Sequence, residues 1–289
     1  MTSPLNSLNS NNPNPTGFAW KGDLESIKFN EEQIKALLSD GSSNIYVIET
    51  PKGIGISTKG EIHSGDSEKD EQRLLAVIPA FSATQLGDPE FKKAYNTNYA
   101  YYTGSMAHGI SSAEMVIALG QKGFLSSFGA GGVIPAKLES AIQEIQSKLP
   151  EGPYAFNLIH NPFFEALEKN AVETYLKHQI RTVEASAYME LTPYVVHYRV
   201  AGLSEASDGS IQINNRVIAK ISRREVAAKF MEPAPDKFLA KLLEQGAITQ
   251  EQANMAKKVP MADDVTVEAD SGGHTDNRPL VSMLPSMIA

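Results

Sequence analysis

There is no cysteine anywhere in the 289 residues. That excludes disulfides, thiolate-bound zinc, iron–sulfur clusters and a thiol nucleophile. No apolar run approaches the roughly 18 residues that a membrane-spanning helix needs. No stretch is strongly basic and the formal net charge is −8, so nucleic acid and anionic membrane are poor candidates as partners. The opening segment, MTSPLNSLNSNNPNP, lacks both a basic start and an apolar core. Residues 1–17 therefore read as a disordered tail and not as a signal peptide, and a cytoplasmic location is expected. No pair of histidines has metal-binding spacing, so no metal site is expected.

What remains is the composition of a globular protein, 42 % hydrophobic and 21 % charged. Residues 18–90 read as a small α+β cap. Asn30 is placed to cap a helix over 31–38 with Gln33 in the capping-box position. IYVIETPKGIGIST (45–58) reads as two strands turned at Pro51–Gly53, and LLAVIPAF (74–81) as a further strand. The polar stretch between them, EIHSGDSEKDEQR, reads as an exposed loop.

From residue 97 the pattern is regular. Short apolar strands at 99–106, 124–132, 154–160, 181–188, 215–222 and 263–270 alternate with amphipathic helices of 10–16 residues. Ser111 with Glu114 suggests a capping box for the first of these helices, and Pro135 opens the second. Repeated βα units predict a parallel sheet, either open and doubly wound or closed as a (β/α)8 barrel. Residues 232–260 interrupt the run as two helices joined at Gly246, and are expected to cover the carboxyl end of the sheet as a lid.

In either architecture ligands gather at the carboxyl ends of the strands. Those ends carry Gly104, Ser105, Met106, Ala107 and His108; then Gly129 and Gly131–Gly132; then Asn157 and His160; then Glu184 and Ser186; then Lys220 and Ser222; and last Asp270, Gly272, Gly273 and His274. Glycines at three of six ends let backbone approach something flat or bulky. Asn157, Glu184 and Lys220 are polar groups inside apolar strands and need partners. Glu184 and Lys220 either pair with one another across adjacent strands or line a polar ligand. His274, stripped of cover by two glycines, is either part of a turn or a reacting group.

Together these ends resemble one family. TGSM, FGAGG, FNLIH, VEASA, VIAKIS and EADSGGHTDNRP, with KFMEPAPDK and GPYAFNLIHNP, are similar to the PfaD-type flavin-dependent enoyl reductases of polyunsaturated fatty acid and polyketide synthases, within the nitronate monooxygenase-like superfamily. The resemblance spans roughly residues 70–289. It implies a TIM-type (β/α)8 barrel binding FMN and using NADPH. It implies that Gly104–Ala107 pass beneath the flavin ring and that Asn157 bonds its polar edge. Lys220 would face the side that gains negative charge, and Gly272–Gly273 would bring His274 over the ring. Gly129, Glu184 and Asp270 are counted with the cofactor-binding residues on the same basis. The implied reaction reduces a 2-enoyl thioester carried on acyl carrier protein. His274 either supplies the α-carbon proton or polarises the carbonyl. Nitronate oxidation is the alternative within the fold, and an inactive fragment that only binds synthase partners is the alternative outside enzymology. Relatives grip the FMN phosphate at strands seven and eight. Only about six βα units precede Ala289, so the expectation is an N-terminal portion of a longer enzyme, with weak or no FMN binding and no reductase activity by itself.

Overall fold

A computed structural model describes residues 17–64, 71–269 and 279–288. The chain divides into two compact units at Leu86/Gly87.

The first unit is an antiparallel sheet of β1 (Phe18–Lys21), β2 (Ile45–Thr50), β3 (Gly53–Ser57), β4 (Glu61–Ser64) and β5 (Gln72–Ile78), in the order β3-β2-β5-β1-β4. Helix α1 (Glu31–Asp40) begins at Asn30, whose side chain accepts from the Glu32 and Gln33 amides. The core is Trp20, Ile27, Ile48 and Leu74. The single tryptophan is fixed by a 2.9 Å bond from Nε1 to the Lys59 carbonyl and lies directly on Gly60, where an added Cβ would come within 2.3 Å of the indole nitrogen. The polar stretch read as a loop contains β4, which pairs with β1. As an edge strand it is covered on one side only, and its polar residues hide the period-2 signal.

The second unit starts at Gly87 and contains α2 (Pro89–Tyr95), whose first two residues fall within the 18–90 region. Six strands follow: β6 (Tyr102–Thr103), β7 (Leu125–Phe128), β8 (Ala155–Ile159), β9 (Thr182–Ser186), β12 (Arg216–Ile221) and β13 (Asp264–Val267). They are all parallel and lie in chain order. Between them run α3 (Ala113–Gly120), α4 (Pro135–Lys148), α5 (Glu165–Lys177), α6 (Pro193–Ala201) and α7 (Arg224–Met231). Helix α3 is capped by Ser112, whose hydroxyl accepts from the Met115 amide. Ser111, the cap expected from sequence, accepts instead from the Met106 amide at 2.9 Å.

Sequential order is what a sheet wound in one direction produces, with its helices on one side. Phe128, Phe156, Leu158, Val183, Ala185, Val217 and Ala219 face that side and join Val116, Ile142, Ile145, Val172 and Val196 from the helices in one core. Each fully buried aliphatic side chain contributes about 1.5–3 kcal/mol. The alternate residues face the other way. There, Leu125, Ala155 and Ile218 form a small second cluster with Tyr95 and, beside it, Phe91 of α2. The Tyr95 hydroxyl donates to Asp264 at 2.5 Å, and a cavity of about 380 Å3 is lined both by Tyr102 of β6 and by Asp264–Val267 of β13. The first and last strands thus approach one another, and the sheet is curled around a concave face.

After α6 the chain forms a hairpin, β10 (Leu203–Glu205) and β11 (Ile211–Ile213), in a stretch to which the sequence reading gave no element. The insertion forms α8 (Asp236–Glu244) and α9 (Gln250–Ala256), the latter with a Thr249–Gln252 capping box. It is not a lid over the carboxyl ends of the strands. It leaves from the end of α7 and returns at the start of β13, on the amino-end side, where Pro233 and Pro260 pair. Both helices pack on α6. The return is held by Arg199, 1 % exposed, which donates to the carbonyls of Pro260 and Asn215 and pairs with Asp263 at 2.7 Å. In a βα unit, whatever joins helix to next strand lies at the amino ends, so the position follows from topology.

Candidate functional site

The concave face is polar towards the carboxyl ends of the strands. Register explains this: Asn157 pairs with Glu184, and Glu184 with Ile218. Position by position, Ser127, Asn157, Glu184, Lys220 and Thr266 alternate with the apolar residues that face the helices. Glu184 is fully buried. Its Oε2 accepts from the Tyr102 hydroxyl and from the Ser105 amide at 3.0 Å. Its Oε1 accepts from the Ser105 hydroxyl and from Asn157 Nδ2 at 3.4 Å, and lies 3.5 Å from Lys220 Nζ. Lys220 also reaches Glu268 at 3.4 Å. The pairing of Glu184 and Lys220 across adjacent strands is thus real, and it belongs to a larger network. Desolvation, then the adjacent Glu184 carboxylate, push the Tyr102 phenol well above its ordinary pKa, so it stays a donor.

The Asn157 amide can be oriented without ambiguity. Its Nδ2 approaches the Glu184 carbonyl at 3.2 Å and the Glu184 carboxylate, which only accept, and the Ser186 hydroxyl at 2.8 Å. Among the described residues Oδ1 is therefore the free end, and it faces Gly131, where an added Cβ would lie 3.5 Å away. Tyr175 holds the Asn157 backbone carbonyl from below at 2.6 Å.

The glycine-rich ends serve each other. An added Cβ at Gly129 would lie 1.7 Å from the Met106 carbonyl oxygen, and one at Gly132 would lie 2.4 Å from the His108 ring. The His108 amide donates to Gly131, Gly109 to Gly129, and Gly129 to Ser111. What these glycines approach is the neighbouring loop, so residues 104–111 and 129–132 form one knitted surface beside Asn157. Gly104 comes within an added Cβ's 3.2 Å of Glu184 Oε2. Met106 is exposed and Ala107 half-buried. Asp270, Gly272, Gly273 and His274 lie outside the described residues.

A second network stands at the ends of β8 and β9. Glu168, on α5, is buried; one oxygen takes the His160 ring at 2.8 Å and the other the hydroxyls of Tyr188 and Thr192. His160 stacks on Tyr188. It therefore anchors two loops. Sequence reading missed Tyr102, Glu268 and this Glu168 cluster. Tyr102 and Glu268 follow the same inward alternation as Asn157 and Lys220, and that signal was available. Glu168 sits in a helix among charged neighbours, and nothing in the sequence marks it as buried. The turns at the carboxyl ends of β6 to β9 carry exposed apolar side chains, among them Ile110, Ile134, Phe163, Phe164 and Met189.

Residues 20–80 match the family model of the fatty acid synthase subunit PfaD N-terminal domain. Over 92 % of its length the chain is 46 % identical to one of the polyunsaturated fatty acid synthase subunits of Thraustochytrium sp., covering 17 % of that protein. It is 43 % identical over 76 % of its length to the polyketide biosynthesis protein PksE of Bacillus subtilis, covering 29 % of it. The enoyl reductase domain of MlnA, from the macrolactin biosynthesis cluster of Bacillus amyloliquefaciens, superposes with a TM-score of 0.68 at 38 % identity over 72 % of this chain and 47 % of that one. The chain thus spans under a third of these curated relatives and about half of the MlnA domain chain. The likeness to the PfaD N-terminal domain falls on residues 20–80, within the first unit.

Proposed function

We propose that the concave face is the flavin-binding face of an enoyl reductase that works within a polyunsaturated fatty acid or polyketide synthase. One observation carries this reading. Among the described polar groups on that face, the Asn157 carbonyl oxygen and the Lys220 ammonium, like the Ser127 hydroxyl, retain hydrogen-bonding capacity, and Asn157 and Lys220 stand on β8 and β12, the two strands that flank β9, beside a surface of small residues. An acceptor and a cation facing a flat floor fit the polar edge of an isoalloxazine ring. Asn157 Oδ1 accepts an N–H, and Lys220 donates to a carbonyl oxygen on the side that gains negative charge. The similarity to an enoyl reductase domain and to synthase subunits supports the same assignment.

FMN, when bound, supplies hydride chemistry, with NADPH as the source of the electrons. The chain's own residues bind and orient. The substrate is a 2-enoyl thioester on acyl carrier protein: its β-carbon gains a hydride, its α-carbon a proton, and the double bond becomes single. His274 is the proposed proton holder for the α-carbon, since imidazole titrates near working pH. The apolar side chains of the carboxyl-end turns suit an acyl chain.

The test uses the protein that carries this chain. FMN binding is followed by absorbance, and NADPH oxidation is measured with crotonyl thioester and, separately, with alkyl nitronate plus oxygen. Asn157→Leu should weaken FMN binding by about tenfold or more, the scale of one lost buried hydrogen bond. His274→Ala should lower turnover and leave FMN bound. Turnover of nitronate in preference to thioester, or FMN affinity indifferent to Asn157, would overturn the proposal.

A further inference from the structure

Glu184 shares the concave face with Asn157 and Lys220, but its surroundings set it apart. A carboxylate offers about four lone-pair sites. Five groups already converge on this one: the Tyr102 hydroxyl, the Ser105 amide and hydroxyl, Asn157 Nδ2 and Lys220 Nζ. It is also fully buried. No acceptor capacity is left for a ligand.

Three of those five donors come from Tyr102 and Ser105, on either side of the point where β6 becomes a loop. That strand has only two residues and, among the described residues, pairs with β7 alone, through Tyr102–Leu125 and Thr103–Ser126. So short an edge ladder holds a loop poorly. Strand β9, in contrast, pairs on both sides, with β8 and with β12. Glu184 therefore reaches across the concave face from the rigid middle of the sheet to its weakest edge. The turn it grips is fixed again downstream, where the Met106 amide donates to Ser111 and the Met106 carbonyl rests on Gly129. Gly104 lies where any larger residue would press on the Glu184 carboxylate.

We propose that Glu184 is a positioning residue and touches no ligand. It sets the depth of the Gly104–Ala107 turn, the floor of the concave face, and it holds Lys220 in place from one side while Glu268 holds it from the other. This assignment rests on the reading of that face as a flavin site. It removes Glu184 from the cofactor-binding residues and adds Tyr102 as its partner in the latch.

The experiment compares Glu184→Gln, Tyr102→Phe and Lys220→Met by hydrogen exchange without cofactor and by FMN titration. Glu184→Gln keeps the shape but turns a donor towards Tyr102 and Ser105. The Ser105 and Met106 amides should exchange at least about tenfold faster in it, the worth of one charge-assisted hydrogen bond. The β9 amides of Val183 and Ala185 should keep their protection. Tyr102→Phe should give the same pattern, more weakly. Lys220→Met should weaken FMN binding and leave the Ser105 amide protected. Unchanged exchange at Ser105 in Glu184→Gln overturns the latch. Equal loss of protection along β9 overturns it too, because the role would then be general stability. A loosened turn with undiminished FMN affinity overturns the positioning role. A loosened turn in a protein that never binds FMN leaves the latch standing and removes the flavin reading.

Discussion

Raising the pH above 10 should unfold the second unit through its tyrosines. Tyr95, Tyr175, Tyr188 and Tyr198 are all buried there. Burial pushes each phenol upward; Asp264 adds to this at Tyr95 and Glu168 at Tyr188, while for Tyr175 burial acts alone. The Tyr175 and Tyr198 hydroxyls also donate to the backbone carbonyls of Asn157 and Ile180, bonds that a phenolate cannot make. With the folded pKa above the unfolded value of about 10, this stability is complete below pH 10. It is lost as pH climbs further, because only the unfolded chain releases the protons. Each phenol costs about 1.4 kcal/mol per pH unit beyond that point, so four cost about 5–6 kcal/mol by pH 11. That is comparable with the whole stability of an ordinary domain, about 5–15 kcal/mol. The assay is urea unfolding at intervals from pH 8 to 11, with phenolate absorbance recorded in parallel. The buried phenols should ionise only together with loss of structure. If all ten tyrosines titrate smoothly near pH 10 while the circular dichroism stays native, the reasoning fails.

Other substitutions test separate parts of the structure. Gly129→Ala drives a methyl into the Met106 carbonyl and should cost about 1–3 kcal/mol, the usual range for overpacking; chemical unfolding would show it, and an unchanged midpoint would contradict the packing described. Arg199→Ala leaves two buried carbonyls and part of the Asp263 charge unmet, at a cost of about 3–5 kcal/mol, visible as a large fall in melting temperature. Gly60→Ala should dislodge Trp20 in the first unit; as the chain has a single tryptophan, a red shift of its emission reports this without interference from the second unit. Glu168→Gln should raise proteolytic cleavage in the turns at 160–164 and 187–192, since it weakens the His160, Tyr188 and Thr192 contacts together.

Much of the architecture is legible from local chemistry. Six apolar segments separated by amphipathic helices, three of the five opened by a cap or a proline, specify a parallel sheet, because βα crossovers have one favoured hand; that its strands lie in chain order is decided by the tertiary structure. Asn30 and Pro135 mark helix starts correctly because capping depends only on residues within one turn. Polar residues at Asn157, Glu184 and Lys220 stand out for a similarly local reason: each interrupts an apolar strand. The errors arise where a neighbour decides. Edge strand β4 is polar because one of its sides faces water, and Ser112 prevails over Ser111 because Ser111 is drawn to the Met106 amide.

The periods of the central strands and helices, most helix starts and the polar groups that interrupt apolar strands follow from the chain alone, since they depend on chain-neighbour distances and on period. What those polar groups do is settled by packing in three dimensions. Whether a buried carboxylate serves a ligand or a loop depends on how many donors reach it, and Glu184 draws its donors from Tyr102 and Ser105, some eighty residues away. The same holds for the insertion, whose composition suits a lid but whose attachment at the amino ends of the strands places it against α6. Hydrogen-bond saturation and side of attachment are properties of spatial neighbours, which no window along the chain contains.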